Sequence, residues 1–249
     1  MRGAMRGRWM MLWPIVAAAA LAGAWGTAST GQTPIGGSSR CVAPAADKDF
    51  AWRSASVPDG QRDGPAAPLF KAVIDGDLDG LKRLLEQGQS PNQPLRPGGW
   101  SALMVAAQLD CDDAVKLLIN HGSEVNYVAD GNGRATALDI ALTYGAPRGN
   151  LAIFYALLDH GADMTMKKSN GRDVVIHAAV IGQMELVNEL LDRGYRGDLP
   201  QLLQTLEIIV VDRATEPFRR KAIARVKGLL KEPKAGAKSG QEAGPRAPQ

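Results

Sequence analysis

Apolar residues come in short bursts along this chain, and the bursts repeat. Leu84-Leu85 precedes Gly88, Leu118-Ile119 precedes Gly122, Leu157-Leu158 precedes Gly161 and Leu190-Leu191 precedes Gly194, always at the same offset. The four glycines lie 34, 39 and 33 residues apart (122−88, 161−122, 194−161). A second apolar block leads each pair: APLFKA (67–72), SALMVA (101–106), TALDIA (136–141) and DVVIHA (173–178). From the last Ala of each block to the first residue of the pair is 12, 12, 16 and 12 residues (84−72, 118−106, 157−141, 190−178). Two apolar blocks per period of about 33 predict a tandem array of helix–turn–helix units. No single unit of that size buries its own apolar face, so the core must form by stacking.

The local chemistry agrees. Glycine after the second block suits a helix that ends in a left-handed residue. Ala72, Ala106, Ala141 and Ala178 are small enough to let neighbouring first helices approach closely. Residues 201–213 and 217–231 predict one more helix pair that caps the stack. In the second of these, Phe218, Ala222, Ile223, Val226, Leu229 and Leu230 fall at helical spacing. Its bases, Arg219, Arg220, Lys221, Arg225 and Lys227, are expected on a solvated outer face rather than against nucleic acid. The third unit carries four extra residues within TYGAPRGNLAI (143–153), where Pro147 and Gly149 predict a lengthened loop. In the fourth unit, Asp173 stands where a Thr would start the helix, and Asp serves equally as an N-cap.

These blocks sit where the ankyrin repeat carries its T-P-L-H-x-A signature, and the chain resembles that family over residues 67–198. GWSALMVAA (99–107) is the nearest local match, and GQSPN, GSEVN and GADMT resemble the loop that follows each ankyrin helix pair. The resemblance implies an all-α solenoid of about four helix–turn–helix repeats, closed by a helical cap over 199–232. Within the family, the chain is similar to small exported bacterial ankyrin proteins, some of which accompany catalase and peroxide defence.

Export is also read from the residues. Arg2, Arg6 and Arg8 precede an apolar run from Met10 to Ala24, and small residues follow. This is the grammar of a secretory signal peptide over 1–28. A short uncleaved membrane anchor is the alternative. Gly, Pro, Ser and Asp dominate 29–66, which reads as a flexible linker with Phe50 and Trp52 able to dock on the first repeat. Residues 233–249 read as a disordered tail. The formal net charge of +3 lies wholly in the leader. Beyond it, residues 213–249 hold 10 bases and 3 acids, a net +7, so residues 31–212 carry −7. An acidic body with a basic end bears on association, not on fold. In an oxidising compartment Cys41 and Cys111 could bridge, and two free thiols fit the sequence as well.

No catalytic arrangement emerges. His121 and His160 occupy equivalent places in successive repeats, too far apart for one zinc ion, and no cysteine or carboxylate pattern completes a site. The acidic string DGDLDG (75–80) lacks the later Glu of a calcium loop and reads as a solvated turn. No metal, cofactor or catalytic residue is therefore expected. The family resemblance implies instead a monomeric binding module. Its concave face would include Val105, Gln108 and Leu109 from repeat two, and Ile140, Thr143 and Tyr144 from repeat three. His177 and Ile181 would follow from repeat four. Trp100 and Tyr144 stand out as aromatic anchors. The competing reading packs Val105, Ile140 and Val180 between helices. The partner would be a periplasmic protein. An immunity role against a secreted effector and an oxidative-stress accessory role are both open; an enzyme using the insertion and His177 is a third reading.

The export reading predicts a mature chain that starts between Ala24 and Thr30. N-terminal sequencing of the protein from fractionated cells checks this. A cytosolic chain that still begins at Met1 would refute it.

Overall fold

A computed structural model of the chain describes Cys41 and residues 65–232. The segments read as signal, linker and tail lie outside the described residues, apart from Cys41, Pro65 and Ala66. The described part holds ten α-helices: α1 (Ala67–Asp75), α2 (Leu78–Glu86), α3 (Ala102–Gln108), α4 (Asp112–Asn120) and α5 (Ala137–Gly145), followed by α6 (Ala152–Asp159), α7 (Val174–Val180), α8 (Met184–Asp192), α9 (Leu199–Ile208) and α10 (Glu216–Lys231). They pair in chain order into four units and a terminal pair, α9 and α10. The first helix of each unit packs on the first helix of the next, and α9 packs on α7 in the same way. Among the described residues the only strand-like pairing is one antiparallel bridge, Ala129 with Ala135. No described helix is long and apolar enough to cross a membrane.

Each first helix starts on a side-chain cap or a proline. Ser101 accepts a hydrogen bond from Met104 N, and Asp173 accepts from Val175 N and Ile176 N, as its N-cap assignment requires. Thr136 and Asp139 cap reciprocally, each side chain accepting from the other's backbone N–H. α1 has Pro68 in its first turn, where a missing N–H costs nothing.

The ends of the second helices explain the repeated offset. In each unit the glycine N–H donates to the second member of the apolar pair, and the next N–H donates to the first member. The partners are Leu85 and Leu84, Ile119 and Leu118, Leu158 and Leu157, and Leu191 and Leu190, all at 2.9–3.2 Å. This double closure needs a left-handed residue between the two donors. Gly88, Gly122, Gly161 and Gly194 supply it, with φ of 88°, 84°, 82° and 92°. The apolar pair therefore places its side chains in the core and its carbonyls at the helix terminus.

The first helices close in the same way on their alanines. Ala72, Ala106 and Ala178 accept from Asp77, Cys111 and Gln183 N–H at 2.9–3.0 Å. The left-handed residue comes four positions after the alanine: Gly76, Asp110 and Gly182. In the third unit it comes eight positions after, at Gly149, and Asn150 N–H donates to Gly145 rather than to Ala141. The four extra residues thus add about one helical turn, with Ala146–Arg148 wound as a 3₁₀ turn on the end of α5. The sequence pattern predicts a loop here; the structure corrects it to a longer helix. A four-residue insertion close to the 3.6-residue repeat keeps the helix face in register. Pro147 falls in the first turn of the 3₁₀ segment, where it is tolerated.

The core runs continuously through all five helix pairs. Ala106, Ala141 and Ala178 are buried at 0–3% exposure. Cys41 and Cys111 form a disulfide across 70 residues of chain. Cys41 sits against the end of α1, and a Cβ on Gly76 would lie 2.4 Å from its carbonyl oxygen. Closing a loop of that length stabilises by about 4 kcal/mol in the chain-entropy account.

The cap departs from its predicted face. α10 buries only Ala222 and Val226, while Phe218 and Leu230 are exposed. Several of its bases are structural. Arg219 Nη1 donates to Leu206 O at 2.8 Å, Arg225 Nη1 donates to Asn188 O at 2.7 Å and its Nη2 pairs with Asp192, and Lys227 pairs with Glu207 at 2.8 Å. The buried Asn188 joins α8 to α10 by donating to Met184 O and Phe218 O, both at 2.9 Å. With so little apolar area in α10, hydrogen bonds and ion pairs to α8 and α9 help to hold it in place.

Replacing Ala141 by Leu in this tight contact is expected to lower stability by about 1–3 kcal/mol through overpacking. Denaturant titration measures the shift; an unchanged midpoint would show that α5 does not pack through Ala141.

Candidate binding surface

The first helices pack on one another in chain order, and a finger precedes each of α3, α5 and α7. The fingers are joined by backbone contacts. Gly131 N–H donates to Gly98 O at 2.9 Å, and Ser169 N–H donates to Gly133 O at 3.0 Å. A Cβ on Gly131 would lie 3.0 Å from Gly98 O, so glycine permits the approach. Asparagines bridge the bases of successive repeats. Asn92 donates to Gly122 O at 2.9 Å and accepts from Glu124 N at 2.7 Å. Asn126 does the same one repeat later, with Gly161 O at 3.0 Å and Asp163 N at 2.8 Å. Thr165 takes the next equivalent place and turns to Asp163 instead.

The sequence-predicted residues divide by burial. Val105, Gln108 and Ile140 are 0%, 2% and 6% exposed. They pack between helices and offer no surface, so the competing reading is the correct one for Val105 and Ile140. Trp100 is 6% exposed, and its indole Nε1 is buried without a hydrogen-bond partner. It fills the junction between finger and α3 and is not an exposed anchor. Thr143 is exposed, but its hydroxyl donates to Asp139 O at 2.7 Å. Leu109, Tyr144 and His177 are half-buried, and Ile181 is 39% exposed. Leu109, Tyr144 and Ile181 each follow the repeat's alanine by three, so they form a row at the ends of successive first helices. Val180, half-buried, adjoins that row.

The added turn of α5 reaches back along this row. Arg148 Nη1 donates to Gln108 O at 3.1 Å, and Asn150 Nδ2 donates to both carboxylate oxygens of Asp110 at 2.8 and 2.9 Å. Asp110 has φ +59°, a conformation its counterparts meet with glycine. Asp and Asn are among the few side chains that tolerate it. Sequence reasoning missed this clamp because the two partners lie 40 residues apart.

A charged cluster sits where the third finger meets α5 and α7. Lys168 Nζ lies 3.2 Å from Asp139 Oδ1, off the hydrogen-bonding direction, so the contact is chiefly coulombic. The same ammonium donates to His177 Nδ1 at 3.1 Å. Burial raises the Asp139 carboxyl against the opposing pull of Lys168. Burial, with Lys168 and Arg172 nearby, lowers His177 to about 4, so its ring is neutral and accepts. One position along, Tyr195 donates to the buried Asp173 at 2.5 Å. Burial raises both groups, and the carboxylate also holds the phenol proton in place.

The other two histidines are helix-end groups. His121 Nδ1 meets Leu117 O at 2.9 Å, and His160 Nδ1 meets Ala156 O at 2.8 Å. Each satisfies a terminal carbonyl. Among the described residues no group of three or more His, Cys, Asp or Glu converges on a metal position. Asp77 of the acidic string caps α2 by accepting from Gly80 N at 2.8 Å.

A stack of paired helices with linked fingers defines a repeat scaffold that presents a surface. A family model of ankyrin repeats, in three copies, matches residues 69–168, so this part of the chain consists of ankyrin repeats. The chain's fourth helix pair and its cap lie beyond the matched stretch. The chain is 41% identical over 56 residues to a human 2-5A-dependent ribonuclease, which is 22% of this chain and 8% of that protein. It is 34% identical over 100 residues to an ankyrin repeat and KH domain-containing protein, mask-1, of Caenorhabditis elegans, covering 40% of this chain and 4% of the other. It is 27% identical over 137 residues to a mouse B-cell lymphoma 3 protein homolog, covering 54% and 30%. The chain thus spans less than a third of the length of each of these relatives, and the likeness lies in the repeats. Ankyrin repeats indicate a protein–protein interaction module.

His177 makes folding pH-dependent. Its proton affinity is lower in the fold than its ordinary 6.5, so its contribution is complete above that pH and is lost as pH falls toward 4. Between pH 7 and pH 5 the wild type is expected to lose more thermal midpoint than His177→Gln, which stays neutral. Equal losses would show that the ring is not held neutral.

Proposed function

We propose that this protein is an exported, non-enzymatic binding module that holds a protein partner against the concave side of its repeats in an oxidising compartment such as a periplasm. The observation that carries the reading is the row of half-exposed apolar and aromatic side chains, Leu109, Tyr144 and Ile181, at one position in successive first helices of an ankyrin array. Aromatic groups with one polar atom are favoured anchors. The Cys41–Cys111 disulfide supports the compartment, because such bonds persist where thiols are not kept reduced. The Arg-led apolar segment at the N-terminus supports export.

Capture from periplasmic extract, followed by calorimetric titration of the purified partner, tests the reading. Tyr144→Ala and Ile181→Ala are expected to weaken binding by about 1–3 kcal/mol with little change in melting. Trp100→Ala is expected to act oppositely: it empties a buried site, costs about 3–5 kcal/mol of stability and leaves the affinity of the folded fraction unchanged. Binding that ignores both surface variants would overturn the assignment of the surface. Free thiols at Cys41 and Cys111 in the native protein would overturn the compartment.

A further inference from the structure

The fingers carry a charge opposite to that of the repeats they join. Residues 93–99, 127–135 and 166–172 hold five bases, Arg96, Arg134, Lys167, Lys168 and Arg172, against one acid, Asp130. That is a net +4 (5 − 1) inside a body, residues 31–212, that carries −7 in all. The arginines also repeat in placement. Arg96 reaches over the second finger, with Nη2 3.6 Å from where a Cβ on Gly131 would lie. Arg134 reaches over the third finger, with Nε 3.5 Å from Lys167 O. The backbone bonds from Gly131 to Gly98 and from Ser169 to Gly133 join the three fingers into one edge.

Only part of this charge is used inside the fold. Lys167 pairs with Asp198 at 2.7 Å, and Lys168 lies 3.2 Å from the buried Asp139. Arg134 pairs with Asp130, and both of those side chains are more than half exposed. Such a pair is weakly held, and a second carboxylate can take the place of the first. Among the described residues no carboxylate pairs with Arg96 or Arg172. Arg172 is exposed, and Arg96 is half-buried with its Nε unpartnered. The surroundings of His177 report the same positive field. Burial lowers its proton affinity most, and Lys168 and Arg172 lower it further.

We propose that this edge takes an extended acidic segment of the protein partner, whose carboxylates meet Arg96, Arg134 and Arg172 in turn. The planar guanidinium presents paired N–H groups that match a carboxylate bidentately. Arginine clusters are a recurrent means of reading acidic motifs. Packed helices lie about 10 Å apart, so an extended segment brings roughly every third residue to a new finger. The proposal rests on the reading of the array as a protein-binding module and adds the chemistry of what it binds.

Titration of the full, disulfide-intact chain with an oligoglutamate peptide, followed by NMR, tests it. A peptide of about ten residues, at about 3.3 Å per residue, spans the three fingers. The histidines report where it binds. His177 lies beside Lys168, while His121 and His160 sit at the ends of second helices. The His177 ring signals are expected to shift and saturate as peptide is added, with those of His121 and His160 unmoved. An Arg134→Gln/Arg172→Gln variant is expected to bind about tenfold more weakly, the loss of charge-assisted hydrogen bonds. Its melting midpoint is expected to stay unchanged, because both side chains are exposed. Arg220→Gln/Lys221→Gln, exposed bases on α10, is expected to match the wild type at His177. Peptide that leaves His177 unmoved would overturn the proposal. So would an Arg134→Gln/Arg172→Gln variant that binds like the wild type, or an oligothymidylate of equal charge that moves His177 at lower concentration. Any of these leaves the binding-module reading standing, since that reading fails on the Tyr144 and Ile181 variants instead.

Discussion

The close contact between successive first helices, made through Ala106, Ala141 and Ala178, is the constraint on which everything else in this molecule depends. A helix of seven to nine residues is too short to be stable in water by itself. It persists here because both of its flanks are covered by neighbours. Larger side chains at these positions would push the helices apart and open the whole stack, since each repeat touches only the next. The capping hydrogen bonds, the double closure at each helix end and the asparagine bridges all serve helices that packing has already brought together.

The insertion in the third unit shows how the stack absorbs change. A longer loop would have left the core untouched and the surface unstructured. One added helical turn instead keeps the apolar face of α5 in register and projects Arg148 and Asn150 onto the preceding repeat. There Asn150 satisfies the carboxylate of Asp110, at the helix end where two of the other three units have glycine four residues after the alanine. Repeat two and repeat three are thus joined on this edge by side-chain hydrogen bonds.

Polar contacts take over where apolar burial runs short. At the N-terminal end the Cys41–Cys111 disulfide anchors the incoming chain on the first two repeats. At the C-terminal end α10 is held by arginines that donate to carbonyls of α8 and α9. Along the outer face Arg193 joins Asp159 to Glu189 and stacks over Tyr155, whose hydroxyl donates to Glu189 and is raised to about 12 chiefly by burial. Arg219, Arg225 and Lys227 of α10 therefore have structural partners.

Periodicity alone determined the class of fold, the number of repeats and the glycine-closed ends of the second helices, because stacked units must repeat the same apolar and glycine positions to make the same contacts. It also marked Asp173 as a cap, since capping is a local matter of a few residues. What tertiary structure decided was burial and long-range pairing. Trp100, Val105 and Ile140 look like surface residues in a repeat alignment and prove to be interior, because whether a first helix shows a flank depends on how closely its neighbour approaches. The pairing of Cys41 with Cys111, the neutral state of His177 beside Lys168, and the grip of Asn150 on Asp110 join residues between 9 and 70 positions apart. No local pattern encodes such contacts; they exist only once the stack has set the distances.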